Sequence, residues 1–182
     1  MDCLRGKLLI SSERLGDPNF NRTVILMLLH NDEGALGLVL NRPLPVSLVA
    51  LSRQIIGQDS PREGVVHQGG PCEAAVMVVF DDEASPDGGT EVSPGIRFSG
   101  DSAVITPLLR QPGGEARFFA GYSGWGAGQL ESEMSEEAWL TLAARREHVF
   151  ADPDRLWDLV RAELVLGYRV NPDAIPTDPT MN

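Results

Sequence analysis

The chain has 182 residues, 42% hydrophobic and 23% charged, which is enough to bury one good core and makes a single domain the default. Of its 15 basic residues only Lys7 is a lysine, and they face 26 acids for a net charge of −11, so most of the surface repels a nucleic-acid duplex, whose capture begins with neutralised phosphates. No apolar run approaches the roughly 18 residues of a membrane-spanning helix, the N-terminus lacks a signal peptide's pattern, and Cys3 and Cys72 make no disulfide framework; a reduced, cytoplasmic setting is expected.

Lys7–Ser11 is a short apolar run that predicts the first strand. Gly16-Asp17-Pro18-Asn19 is a turn cluster, because Asp and Asn bond nearby backbone while Pro fixes φ. Thr23–Leu29 is a continuous β-favouring run, as expected of a strand buried on both faces. The turn residues His30–Gly34 then predict a hairpin into Ala35–Leu40, where Gly37 marks a bulge or a close backbone approach. Pro43 closes that strand, since it cannot donate to a ladder. From Val46 to Ile56 the spacing of Leu48, Leu51 and Ile55 predicts a helix ended by Gly57.

Gly64–Gln68 and Ala75–Phe80 read as strands, separated by Gly69-Gly70-Pro71. Asp81–Thr90 is acidic and carries Pro86 and Gly88-Gly89, which predicts an exposed loop. Ile96–Phe98 and Ala103–Ile105 are short strand candidates, and Gln111–Gly114 is a turn. Ala116–Ala120 predicts a buried strand. Glycines 121, 124, 126 and 128 then let the chain reverse in an elbow, with Tyr122 and Trp125 pinning it to the core. Leu130 and Met134 begin a short helix carrying Glu131 and Glu133. Trp139–Leu142 is a strand candidate. Asp152-Pro153-Asp154 starts the best helix, with a cap, a first-turn proline and an apolar stripe of Leu156, Leu159, Val160 and Leu164. Gly167 is expected to stop it. Residues 171–182, rich in proline, are expected to be disordered.

Candidate chemistry is sparse. Ser123 sits in Gly-Tyr-Ser-Gly-Trp, close to a nucleophile elbow, but Trp125 stands where that turn demands glycine. A turn serine is the better account. The glycines 124, 126 and 128 miss the dinucleotide spacing, and Glu131 and Glu133 occupy the helix start that an anion would use. His30, His67, His148, Cys3 and Cys72 never pair at metal-ligand spacing, so no metal and no cofactor is predicted. Cys72 reads as a small core residue. No catalytic residue is assigned, and a hydrolase using Ser123 or Cys72 is the alternative. Arg145, Arg146, Arg155 and Arg161 are read as solvated helix faces paired with local acids rather than a basic patch.

Three segments carry a resemblance: Phe20-Asn21-Arg22-Thr23-Val24 with His30 and Gly34–Pro43, then Gly69-Gly70-Pro71, then Gly121–Glu133. Together they resemble the YqgE/AlgH family of bacterial proteins, in which a GY-x-GW-x-x-GQLE run is the most specific motif. The resemblance covers about residue 8 to residue 157 and implies a single α/β (α+β) domain spanning 1–170. Its sheet would be strongly bent, bifurcated, mostly antiparallel and partly barrel-like, with two or three packed helices. It also implies that the turns bearing Asn41, Arg42, Gly69, Gly70, Tyr122, Ser123, Trp125, Gln129, Glu131 and Glu133 cluster on one side as a binding surface. Within it, Arg42 is expected either to be tied by Glu131 or Glu133 or to offer its fork to a ligand carboxylate or phosphate. The family's AlgH branch is named for transcriptional control of alginate production. No basic recognition helix is visible, so a regulator or adaptor acting through a protein partner or small ligand is expected.

Overall fold

A computed structural model describes residues 3–12, 14–15, 20–84 and 87–170. The Gly16–Asn19 turn and the tail 171–182 therefore lie outside the described residues. The chain begins with β1 (Lys7–Ser11), β2 (Val24–Asn31) and β3 (Gly34–Val39), then β4 (Pro43–Ser47), α1 (Leu48–Ile56) and β5 (Val65–Gln68). It continues through β6 (Cys72–Asp81), β7 (Thr90–Ser93), β8 (Ile96–Ser99) and α2 (Ser102–Arg110). Then follow β9 (Ala116–Gly126), α3 (Gln129–Ser135), β10 (Trp139–Ala143), α4 (Arg146–Val149) and α5 (Pro153–Val170). No described helix is long and apolar enough to cross a membrane.

Eight of the ten strands follow one another in the order β10-β1-β2-β3-β9-β6-β8-β7, curled into a half-barrel, and β4 and β5 branch off through the pairing of β5 with β9. The fork is made by β9, an eleven-residue strand shared between two neighbours on one edge. The C-terminal half pairs antiparallel with β3, through Ser123↔Gly37 to Gly126↔Gly34. The N-terminal half pairs parallel with β5, through His67↔Phe119 and Gln68↔Ala120. The bent, bifurcated sheet implied by the resemblance is thus present, with three long helices and two short ones around it.

Alternation along the central strands explains why both faces are buried. In β2, Leu26 and Leu28 enter one core with Leu8, Leu38 and the α5 stripe of Leu156, Val160 and Leu164. Ile25 and Met27 enter another with Leu9, Trp125, Leu130 and Trp139. Beyond the fork, α1 and α2 cover Phe80 and Phe118 in a third. Successive strand side chains point to opposite faces, so a run apolar at every position needs a cover on each. Gly37 is a close approach, as expected: a Cβ there would meet Ile25 Cγ2 at 2.6 Å.

Several sequence expectations change. The glycine elbow is not a reversal, because β9 runs on through Gly126 and the chain turns only at Ala127-Gly128. Pairing to β3 satisfies that backbone, and a ladder outweighs the freedom of unpaired glycine. Ala103–Ile105 lies in α2, whose N-cap Asp101 accepts from Ala103 N at 2.8 Å; the capping signal outranks the β-branched residues. Val46 belongs to β4, and Ser47 caps α1 by accepting from Ala50 N at 3.1 Å. Asp81 is not in an exposed loop but is the buried end of β6, where it accepts from Ala84 N, Glu115 N and Arg146. Gly167 does not stop α5, since glycine inside a helix costs only about 1 kcal/mol against alanine.

Candidate functional site

The predicted surface residues separate into two groups at opposite ends of β3, roughly 16 Å apart at about 3.3 Å per strand residue. At the fork, Gly69-Gly70 is wedged between the branches. Gly69 N donates to Ala120 O at 2.9 Å, and Gly69 O accepts from Val39 N at 2.8 Å. A Cβ on Gly70 would sit 2.3 Å from Tyr122 C, so only glycine lets these backbones meet. Ser123 is buried, and its hydroxyl donates to Gly69 O at 3.3 Å. Cys72 is half-buried opposite Tyr122 in the β6–β9 ladder.

The nearest imidazole in sequence to Cys72 is that of His67, which packs against Phe119 with ring centroids 5.7 Å apart. Its ring nitrogens find no partner of normal hydrogen-bond geometry among the described residues. Burial, reinforced by the Arg117 charge, pushes its pKa down to about 4. Arg117 itself is lowered to about 10 by burial, against the pull of Glu115 and Asp152. Its guanidinium donates to Leu40 O at 3.3 Å and Ala151 O at 2.7 Å.

Arg42 and Asn41 are used differently from the sequence expectation. Arg42 is not tied by Glu131 or Glu133; its Nη2 donates to Asn21 O and to Thr23 Oγ1, the latter at 3.2 Å. Asn41 clamps the same segment, accepting from Val24 N at 3.0 Å and donating to Arg22 O at 2.8 Å. The two Asn-Arg pairs of the sequence are thus joined. The sheet register decides this, because the end of β3 lies beside the start of β2 while α3 lies at the far end.

At that far end the signature closes on itself. Glu133 Oε2 accepts from Trp125 Nε1 at 3.0 Å and Trp139 Nε1 at 2.7 Å, and Oε1 accepts from Gln129 Nε2 at 3.0 Å. Gln129 Oε1 in turn accepts from Gly126 N at 3.1 Å. The two indoles meet edge to face, 6.3 Å between centroids. Glu131 pairs with His30 Nε2 at 2.8 Å, while His30 Nδ1 accepts from Leu4 N at 3.0 Å. Glu131's own backbone N–H, then the His30 ring, hold its carboxyl below the usual range. Sequence reasoning missed His30 and Trp139 as partners; 101 residues separate His30 from Glu131, and no local pattern signals such a contact. Among the described residues no three His, Cys, Asp or Glu side chains converge as a metal site.

Clefts formed by the described residues include a small one of about 60 Å³ among Phe20, Val39, Arg42, Gln68, Gly70 and Pro71, and two larger ones. One of about 420 Å³ lies among Cys3, His30, Asn31, Asp32, Gly128 and Glu131. Another, also about 420 Å³, is lined by Asn21, Arg22, Asn41, Arg42, Pro153, Asp154 and Trp157. Arg145 and Arg146 lie in neither, and each is ion-paired: Arg145 with Glu147 and Glu163, Arg146 with Asp81 and Glu115.

This architecture recurs in known proteins. The solution structure of the AlgH protein from Pseudomonas aeruginosa superposes with a TM-score of 0.74 at 30% identity, covering 97% of this chain and 95% of that one. A Corynebacterium diphtheriae protein of 24% identity shares the fold alone, at a TM-score of 0.67 over 86% of this chain and 85% of its own. A UPF0301 protein of Myxococcus xanthus is 42% identical over 174 residues, 90% of this chain and 96% of the relative. One of Chlorobaculum tepidum is 40% identical over 157 residues, 84% and 82% of the two chains. With the AlgH-like family model matching residues 8–169 as well, the chain belongs to the AlgH-like, UPF0301 family.

Proposed function

We propose that the chain is a non-enzymatic regulator or adaptor of the cytoplasm, acting through a protein partner or small ligand rather than by holding DNA itself. One observation carries this reading: Ser123, Glu131 and Glu133 of the signature are engaged by other groups of the chain. Ser123 bonds a carbonyl, Glu133 receives two indoles, and Glu131 holds His30. A serine nucleophile needs a base within hydrogen-bond reach, and the Ser123 hydroxyl has a main-chain oxygen there instead. The acidic balance and the ion-paired arginines 145 and 146 argue against a duplex-binding face.

A broad ester and phosphoester panel tests the reading. The expected result is no turnover above buffer with the purified chain. Turnover that disappears in Ser123→Ala or Cys72→Ala would replace it with a hydrolase. Tight, salt-sensitive binding to duplex DNA would remove the indirect part of the regulator role.

A further inference from the structure

The cleft between the fork and α5 runs against the charge of the molecule. Two cations, Arg22 and Arg42, line it against one carboxylate, Asp154. Behind it the Arg117 guanidinium donates only to carbonyls among the described residues. The Arg22 guanidinium lies 4.3 Å from the centroid of the Trp157 ring, and that of Arg161 lies 5.2 Å from the same ring. A guanidinium stacked on an indole is held by its face and keeps its in-plane N–H groups for an acceptor. Arg22 gives one of these to Asp158, at 2.9 Å in an exposed pair that water screens. Arg42 is anchored through Nη2 alone, with Nε and Nη1 unbonded among the described residues. The Trp157 indole N–H is also buried without an acceptor there. The wall is rich in donors and poor in acceptors, and its volume suits a small ligand.

We propose that this cleft binds a small molecule through an oxyanion group, a phosphate or a carboxylate, gripped between Arg42 and the Trp157-stacked Arg22. This deepens the proposed function, on whose small-ligand arm it rests. Asn41 is a positioning residue: by bonding Arg22 O and Val24 N it fixes the segment that presents Arg22, whose φ of 51° is one that side chains rarely adopt.

The test is a titration of the full chain with inorganic phosphate and, separately, succinate. It is followed by the Trp157 indole and Arg22 Nε–H resonances, with matched chloride as the ionic control. The expected result is a saturable shift with at least one of the two anions but not with chloride. Affinity should fall about tenfold or more in Arg42→Gln and in Arg22→Gln, as expected for lost charge-assisted bonds. Arg22→Gln keeps the test clean if Arg42→Gln unfolds, because among the described residues the Arg22 guanidinium pairs with the exposed Asp158 and stacks on Trp157. Glu131→Gln, at the other end of β3, should change nothing. Which anion saturates identifies the group. No saturable shift with either anion, or equal affinity in Arg22→Gln, overturns the proposal. That failure leaves the non-enzymatic reading standing, since only Ser123- or Cys72-dependent turnover removes it.

Discussion

Glu133 shows how one side chain can hold three elements. Its carboxylate gathers indoles from β9 and β10 onto α3, where both donors would otherwise be buried without partners. Each unsatisfied buried donor costs about 1–3 kcal/mol, so Glu133→Ala should lose about 2–4 kcal/mol in urea unfolding, and Glu133→Gln less. His67 makes an opposite, pH-dependent contribution. Its folded pKa of about 4 lies below the ordinary 6.5, so between those values the unfolded chain binds the extra proton. Stability is therefore full above pH 6.5 and falls as pH drops toward 4, by up to about 3 kcal/mol at about 1.4 kcal/mol per unit. Unfolding measured at pH 7.5 and at pH 4.5 should differ less in His67→Leu than in the parent chain. Equal differences would mean that another group governs the acid limb.

Among the elements, β9 decides the architecture, and its glycines and their neighbours are not equivalent. Gly70 faces the backbone of Tyr122 and Ser123 at 2.3–2.4 Å from any added Cβ, whereas nothing lies within 4 Å of one on Gly126. Gly70→Ala must part the two branches of the fork, and a cost above about 3 kcal/mol or failure to fold is expected. Gly126→Ala should stay within about 0.5 kcal/mol, as for other surface changes without strain. Thermal unfolding of the two variants reads this directly. The contrast also explains why the elbow expectation failed. Glycine spacing signals permissiveness, but whether a glycine turns the chain or admits a neighbouring backbone depends on which strand lies alongside.

In the whole molecule, β1 pairs with both β2 and β10, so residues 7–11 are locked to residues 139–143 across most of the chain length. Local signals were legible: the two-sided apolar run of β2, the Gly57 stop of α1, the Asp152-Pro153 start of α5, and the resemblance that implied a forked sheet. The candidate site was only half legible. Arg42 shares one cleft with Asn41 and another with Gly70, yet Ser123 is buried on Gly69, Trp125, Gln129 and Glu133 close a separate clasp beside the Glu131–His30 pair, and Arg22 and Trp157 join the first group unannounced. Periodicity, capping and turn chemistry act over a few residues, so the sequence by itself determined where strands and helices form and which of their faces are apolar. Which branch of β9 meets β3 and which meets β5, and therefore that Arg42 finds Asn21 instead of Glu133, depends on register between distant strands. Only the tertiary structure decided that, because register follows from the turns and from burying the apolar faces of neighbouring strands together, and no single stretch of sequence says which distant strand will be the neighbour.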